Sequence, residues 1–434
     1  MLAFDFPPIA NVACERTLRF LRHLPEQGWA GDVITIRNSM FIPRDPSALG
    51  AIPPGVTVFR TGFIKANLPV SAAARLLPSR WRVGLNNFFS FPDFNVGWLP
   101  FLLPTLRHLL EKGNDGRLYD AVWSTSPPPS VHLAGVYAKR RCGIPWVADF
   151  RDPWLDNPVL EAPTRFHRAF HAGLERRVLQ TADQIVANTE GNKRMLLLRY
   201  PRWFEKIHVI PNGYEEGEFA GLEPVPHPGH RMVLCHAGTL FPTYDPGPLF
   251  AGLALAIRRL PRMRDEVCVK LFGNRSERSV IARWGLVGVV EEYPWQPRRV
   301  ILQELAASDA TVLCMSGSRG TDFWVPAKTY TYLRLGKPVL ALVPRGEARE
   351  ILERAGIGRM CDPNDVEQIA AALLRLSEDW RAGRLQVSPV EEATQQYEAG
   401  TLTAHLARIL DAMVHEHEVR TRMASPRPGK AVIG

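Results

Sequence analysis

Lys328, Thr331 and Tyr332 lie at i, i+3 and i+4 within VPAKTYTYLRLGKPVLALV, residues 325–343. On a helix they share one face. Pro326 suits the first position of that helix, Gly336 suits its stop, and Pro338 ends any continuation. A helix N-terminus offers N–H groups and the positive end of a dipole, and Lys328 adds a full charge beside them. That combination suits a phosphate or diphosphate. The plain alternative is a surface helix carrying a solvated lysine.

Three other stretches could do chemistry. In DFRDPW, Asp149, Arg151 and Asp152 crowd the end of a strand. They could supply a carboxylate for acid–base work or an arginine for an acceptor phosphate, or they could brace the loop. The spacing does not demand a metal, and no zinc pattern occurs. In HAGTLF, Gly238 permits close backbone approach of a phosphate and Thr239 can donate a hydrogen bond. LFGNR repeats the pattern one strand later with Asn274 and Arg275. No GxGxxG, Walker loop or GxSxG elbow is present, which argues against a dehydrogenase, an NTPase and an α/β-hydrolase.

Elements that would position these residues follow from the apolar runs. DVITI, AVWS, PWVAD, QIVAN and KIHVI alternate with helical stretches up to about residue 212. A polar linker rich in Glu, Pro and Gly follows, and a second series begins at Met232. The chain of 434 residues is too long for one ordinary core, so two domains are expected. Their predicted bounds are 1–212 and 213–390, then a helix in 391–419 with an apolar stripe, and a basic, disordered tail in 420–434. The fold class is α/β: two Rossmann-like domains facing across a cleft, with that last helix crossing back to the first. Ligands would bind at the C-terminal strand ends, where Asn11, Ser126 and Asp149 lie in the first domain.

A formal charge of +9 suits an acidic partner: nucleotide phosphates, nucleic acid or an anionic membrane surface. No nucleic-acid signature accompanies it, so no nucleic-acid partner is expected. The stretch 63–103 mixes arginines with bulky apolar residues, and packs into the core or rests on an anionic membrane. The six cysteines form no CxxC pair and read as reduced, mostly buried thiols. With no signal peptide and no membrane span visible, the protein reads as cytoplasmic, with contact at the inner membrane face left open.

Together these motifs resemble the retaining glycosyltransferases of family four, which have the GT-B architecture. The resemblance rests on STSPPPSVHLAG, IPWVADFRDPW, ADQIVANTEGNKRML and KIHVIPNGYE in the first half. In the second half it rests on HAGTLF, LFGN and VPAKTYTYLRLGKPVLALVPRGEAREIL. It implies a nucleotide-sugar donor held by the second domain and a glycan, lipid-linked or other glycoconjugate acceptor held by the first. No metal and no cofactor is implied. Arg151, Asp152 and Lys328 are then the catalytic candidates. Gly238, Thr239, Asn274, Arg275, Lys328 and Thr331 would hold the donor; Asn11, Ser126 and Asp149 would lie on the acceptor side. Thr331 stands where the family often carries a glutamate that accepts from ribose hydroxyls, Phe323 where another acid is common, and Thr243-Tyr244 where a cation is common. Those departures motivate two alternatives: a catalytically degenerate scaffold subunit and a nucleotide-sugar 2-epimerase.

Overall fold

The structure is a computed structural model. It describes residues 1–9, 13–37, 45–65, 88, 91–155, 157, 162–224, 230–238, 245–273, 278–317 and 320–424. The chain divides into two compact units, Met1–Pro211 with Leu402–Gly434, and Asn212–Thr401.

In the first unit, strands β1 (Leu2–Ala3), β2 (Val33–Ile36), β3 (Val58–Thr61), β4 (Val122–Ser126), β5 (Trp146–Phe150), β6 (Gln184–Ala187) and β7 (Ile207–Val209) form one sheet. Its order is β3-β2-β1-β4-β5-β6-β7, and every pairing is parallel. Strands β2, β4 and β5 are buried at every position, as their apolar runs require in a sheet covered on both faces. The helix Val131–Cys142 lies so close on the sheet that a Cβ at Gly135 would meet the Trp146 ring at 2.0 Å. Threonines set the starts of two helices: Thr164 accepts from the His167 amide, and Thr189 from that of Asn192.

The second unit repeats the plan. Strands β8 (Met232–Ala237), β9 (Val267–Phe272), β10 (Val290–Tyr293), β11 (Ala310–Cys314), β12 (Val339–Leu342) and β13 (Gly358–Cys361) are ordered β10-β9-β8-β11-β12-β13, again all parallel. Each sheet winds outward in both directions from one central pair, β1/β4 or β8/β11. The C-terminal ends of those pairs are the topological switch points, where open α/β sheets bind ligands.

A short helix, Glu391–Gln395, belongs to the second unit, and the last helix runs Ala399–Ala424. Its stripe of Leu402, Leu406, Ile409, Leu410 and Met413 is buried against Phe20, Trp123, Val147 and Ile210 of the first unit. The helix runs on to Ala424, into the stretch read from sequence as tail, and the remainder of that tail lies outside the described residues. In 63–103, Trp98 is core: its indole donates to Thr61 at 2.7 Å and its ring meets Phe4 edge-on. Residues 66–87, 89 and 90 of that stretch lie outside the described residues.

Candidate functional site

At the second sheet's switch point the helix Lys328–Leu335 aims two side chains at the ends of β8 and β11. The Lys328 ammonium sits 3.1 Å from Nε2 of His236, which is the fifth residue of β8 and fully buried. Nδ1 of the same ring lies 2.9 Å from the Val312 carbonyl on β11. One turn on, the Tyr332 hydroxyl accepts from the Ala237 amide and donates to that same carbonyl, both at 3.3 Å. Gly238 follows with φ 109°, a conformation that excludes most side chains. A Cβ there would lie 3.0 Å from the Lys328 nitrogen. Its own amide is engaged, donating to Phe272 at 3.0 Å, so the glycine gives room rather than a donor.

Burial sets the electrostatics. It pushes the Lys328 ammonium down to about 8. Burial first, and then the neighbouring Lys328 charge, hold His236 well below the ordinary imidazole range, so the ring is neutral at physiological pH. Thr331 is buried on the same helix and accepts from Arg298 at 3.1 Å. Arg298 in turn pairs with Glu218 at 2.8 Å.

The first sheet's switch point carries a different arrangement. Asp149, fully buried on β5, accepts from Arg16 Nε at 3.1 Å and Nη2 at 2.8 Å, and from Thr125 at 2.7 Å. Arg16 also donates to the Pro211 carbonyl at 2.7 Å. Arg151, 8% exposed, spends its three nitrogens on the carbonyls of Ser126, Ala13 and Pro127 at 2.8–2.9 Å. Two half-buried carboxyls, Asp5 and Asp152, flank it. Burial pushes both upward, and the Arg151 charge opposes the shift.

Residues 14–213, which contain that second arrangement apart from Asp5 and the Ala13 carbonyl, match the family described as the glycosyl transferase 4-like domain. Residues 14–213 are a glycosyl transferase 4-like domain. The family resemblance read from the motifs is therefore borne out. Among curated proteins, the chain is 26% identical over 261 residues to a D-inositol 3-phosphate glycosyltransferase of Thermobispora bispora, covering 56% of this chain and 60% of that one. It is 26% identical over 325 residues to the protein of the same name from Nocardiopsis dassonvillei, covering 68% and 71%. The chain thus spans about three fifths of the length of the first of these relatives. The fold is similar to that of Anabaena HepE, solved with UDP and glucose, with TM-score 0.62 at 18% identity over 95% of this chain and 99% of that one. It is also similar to WaaG, a glycosyltransferase involved in lipopolysaccharide biosynthesis, with TM-score 0.57 at 13% identity over 94% and 98%. The two-sheet architecture is that of GT-B.

Within the glycosyl transferase 4-like domain the structure separates the expected residues by role. Asp149 and Ser126 are buried and braced, and Arg151 staples its own loop to the end of β4 and to the start of the Ala13–His23 helix, the bracing alternative left open by the sequence. Of that cluster Asp152 is the member that reaches the surface. In the second unit Lys328 and Gly238 come together, and Thr331 faces Arg298. Asn11, Thr239, Asn274 and Arg275 lie outside the described residues. Sequence reasoning passed over His236, Arg298, Glu218 and Arg16. A histidine inside the apolar strand MVLCHA, and an arginine on the apolar side of the Ala13–His23 helix, were the available signals.

Proposed function

We propose that this protein is a glycosyltransferase that moves a sugar from a nucleotide-sugar donor, held by the second unit, to a glycan, lipid-linked or other glycoconjugate acceptor, held by the glycosyl transferase 4-like domain. It works without metal or other cofactor and retains the anomeric configuration. One observation carries the donor assignment: the Lys328 ammonium lies over a glycine at the switch point of the second sheet. There it would offset the charge that develops on a departing diphosphate, a fixed cation in a partly dehydrated site. HepE, solved with UDP and glucose, supports a uridine diphosphate sugar as the first donor to try. On the acceptor side Asp152, partly exposed beside Arg151, would orient a hydroxyl. The likenesses are to transferases, and neither the scaffold nor the epimerase reading is favoured by them.

A thermal-shift screen of UDP-, GDP- and ADP-sugars tests this directly. One of them, at a hundred times its Kd, should stabilise the protein by about 2.7 kcal/mol. A flat response to all three classes would sink the donor assignment. A second check follows from the lysine. Its charge is fully present only well below pH 8 and is lost as pH rises through about 8, so affinity for a nucleoside diphosphate should fall across that range. A bound anion favours the charged form, so binding at pH 9 should take up a proton. Calorimetry in buffers of different ionisation enthalpy measures that uptake, and a buffer-independent heat would contradict it.

The work is placed at the inner face of the cell membrane, with the protein bound peripherally. No helix among the described residues is long and apolar enough to cross a membrane. The helix Arg165–Thr181 exposes Phe166 and Phe170 beside Arg165 and Arg168, a surface that suits anionic lipid. Vesicles containing phosphatidylglycerol should float the protein, neutral vesicles should not, and Phe166→Glu with Phe170→Glu should weaken the effect. Equal behaviour with both vesicle types would remove the membrane from the proposal.

A further inference from the structure

We propose that His236 is a positioning residue for the transfer reaction: a neutral imidazole that fixes the Lys328 ammonium over Gly238. The inference rests on the donor-site reading above and deepens it. It starts from what each ring nitrogen faces. The Val312 carbonyl can only accept, so Nδ1, at 2.9 Å from it, carries the proton. Nε2 then presents a lone pair, and the ammonium 3.1 Å away donates into it. A protonated ring could not do this, because it would set two cations in contact.

The surrounding bonds leave the ring little freedom. His236 is fully buried in a central strand, and Val312 belongs to β11, the strand beside it across the switch point. Tyr332 closes the circuit, since its hydroxyl bridges the Ala237 amide and the Val312 carbonyl. Lys328 and Tyr332 are one helical turn apart on the same face, so a single helix is tied to both central strands by two side chains. A four-carbon lysine stem would otherwise sample many rotamers, and ordering it when the donor binds would cost up to about 2 kcal/mol. Here the order exists before any ligand arrives. That is electrostatic preorganisation, with the histidine as the fixed end. A water or a serine in its place could accept a hydrogen bond but could not span from Val312 to the lysine.

The test uses the full chain with UDP, GDP and ADP as probes. Calorimetry and turnover should both show His236→Ala losing about 10–100-fold, the scale of a misplacement of about 1 Å. His236→Gln, whose amide can both donate and accept, should recover part of that loss. In a Lys328→Ala background, His236→Ala should cost little more, because the histidine acts through the lysine. Wild-type affinity and turnover in His236→Ala, or a full further loss on top of Lys328→Ala, would overturn the proposal. Ring ¹⁵N spectra keep it falsifiable if the alanine variant does not fold. They should show the neutral Nδ1–H tautomer, with an Nε2 signal that moves in Lys328→Met. An Nε2–H tautomer overturns the positioning role even if donors bind. A wild type that binds no nucleoside diphosphate, with the Nδ1–H tautomer intact, defeats the donor reading and the positioning role with it, while leaving the hydrogen bond itself measured.

Discussion

Lys328→Ala should cut sugar transfer by about 10²–10³-fold, the loss seen when one fixed charge-stabilising donor is taken from a transition state. Most of the loss should fall on kcat, because the charge on the leaving diphosphate grows as the glycosidic bond breaks. Part should appear as weaker nucleotide binding, since the ground-state diphosphate is already anionic. The protein itself should not suffer. The ammonium is held in a partly dehydrated site that pushes its pKa down to about 8, so the folded state bears a cost for keeping it charged. Removing it takes away that cost along with the bond to His236. Unfolding curves for Lys328→Ala should therefore match wild type closely while turnover collapses. Lys328→Arg should not rescue activity. The space beside Gly238 is already filled to 3.0 Å from where a Cβ would be, and a planar guanidinium is larger than an ammonium. Turnover within tenfold of wild type in Lys328→Ala, measured on the donor found by the screen, would mean that the cation is not the diphosphate's partner.

That lysine was legible in the sequence because its surroundings are punctuated. Proline and glycine mark the stretch, and the helix does end at Gly336 with φ 62°. The strands were legible for a similar reason, since doubly covered parallel strands must be continuous apolar runs. Where a run is mixed the reading failed. β13, GRMC, has three of its four positions partly exposed and passes for loop. The helix Leu99–Lys112 carries Pro104 inside it and Pro100 in its first turn, and so reads as broken. The site shows a deeper limit. Lys328 meets His236 across 92 positions, Arg16 meets Asp149 across 133, and Arg298 links Thr331 to Glu218 across 33 and 80. Spacing along one helix or loop carries no information about such partners. The charge cluster at 149–152 was visible, but its division into brace and surface acid depends on an arginine from the first helix. The glutamate missing at 331 was visible too. An arginine paired with a different glutamate beside that position was not.

The largest effect on stability is expected from that brace. Asp149→Ala would leave the Arg16 guanidinium buried without its carboxylate, at a cost of about 3–5 kcal/mol. In a unit of this size that lowers Tm by about 6–20 °C, at about 2–4 °C per kcal/mol. Arg16→Met should cost a comparable amount, because Asp149 would then keep only Thr125 as a side-chain donor among its described partners. The two losses should not add. In Arg16→Met with Asp149→Leu no charge is left uncompensated, and apolar side chains of similar volume fill the space. Much of the stability should return, as it does when a buried pair is replaced as a whole. The cycle also decides what the aspartate is for. A brace predicts that Asp149→Asn lowers stability while each folded molecule keeps most of its transfer rate. An acid or base predicts the reverse, with Tm nearly unchanged and transfer gone. The geometry favours the brace: three hydrogen bonds from two side chains converge on a carboxylate that no solvent reaches. An acceptor hydroxyl would have to displace Thr125 or Arg16 to touch it, and Asp152, nearer the surface, needs no such displacement.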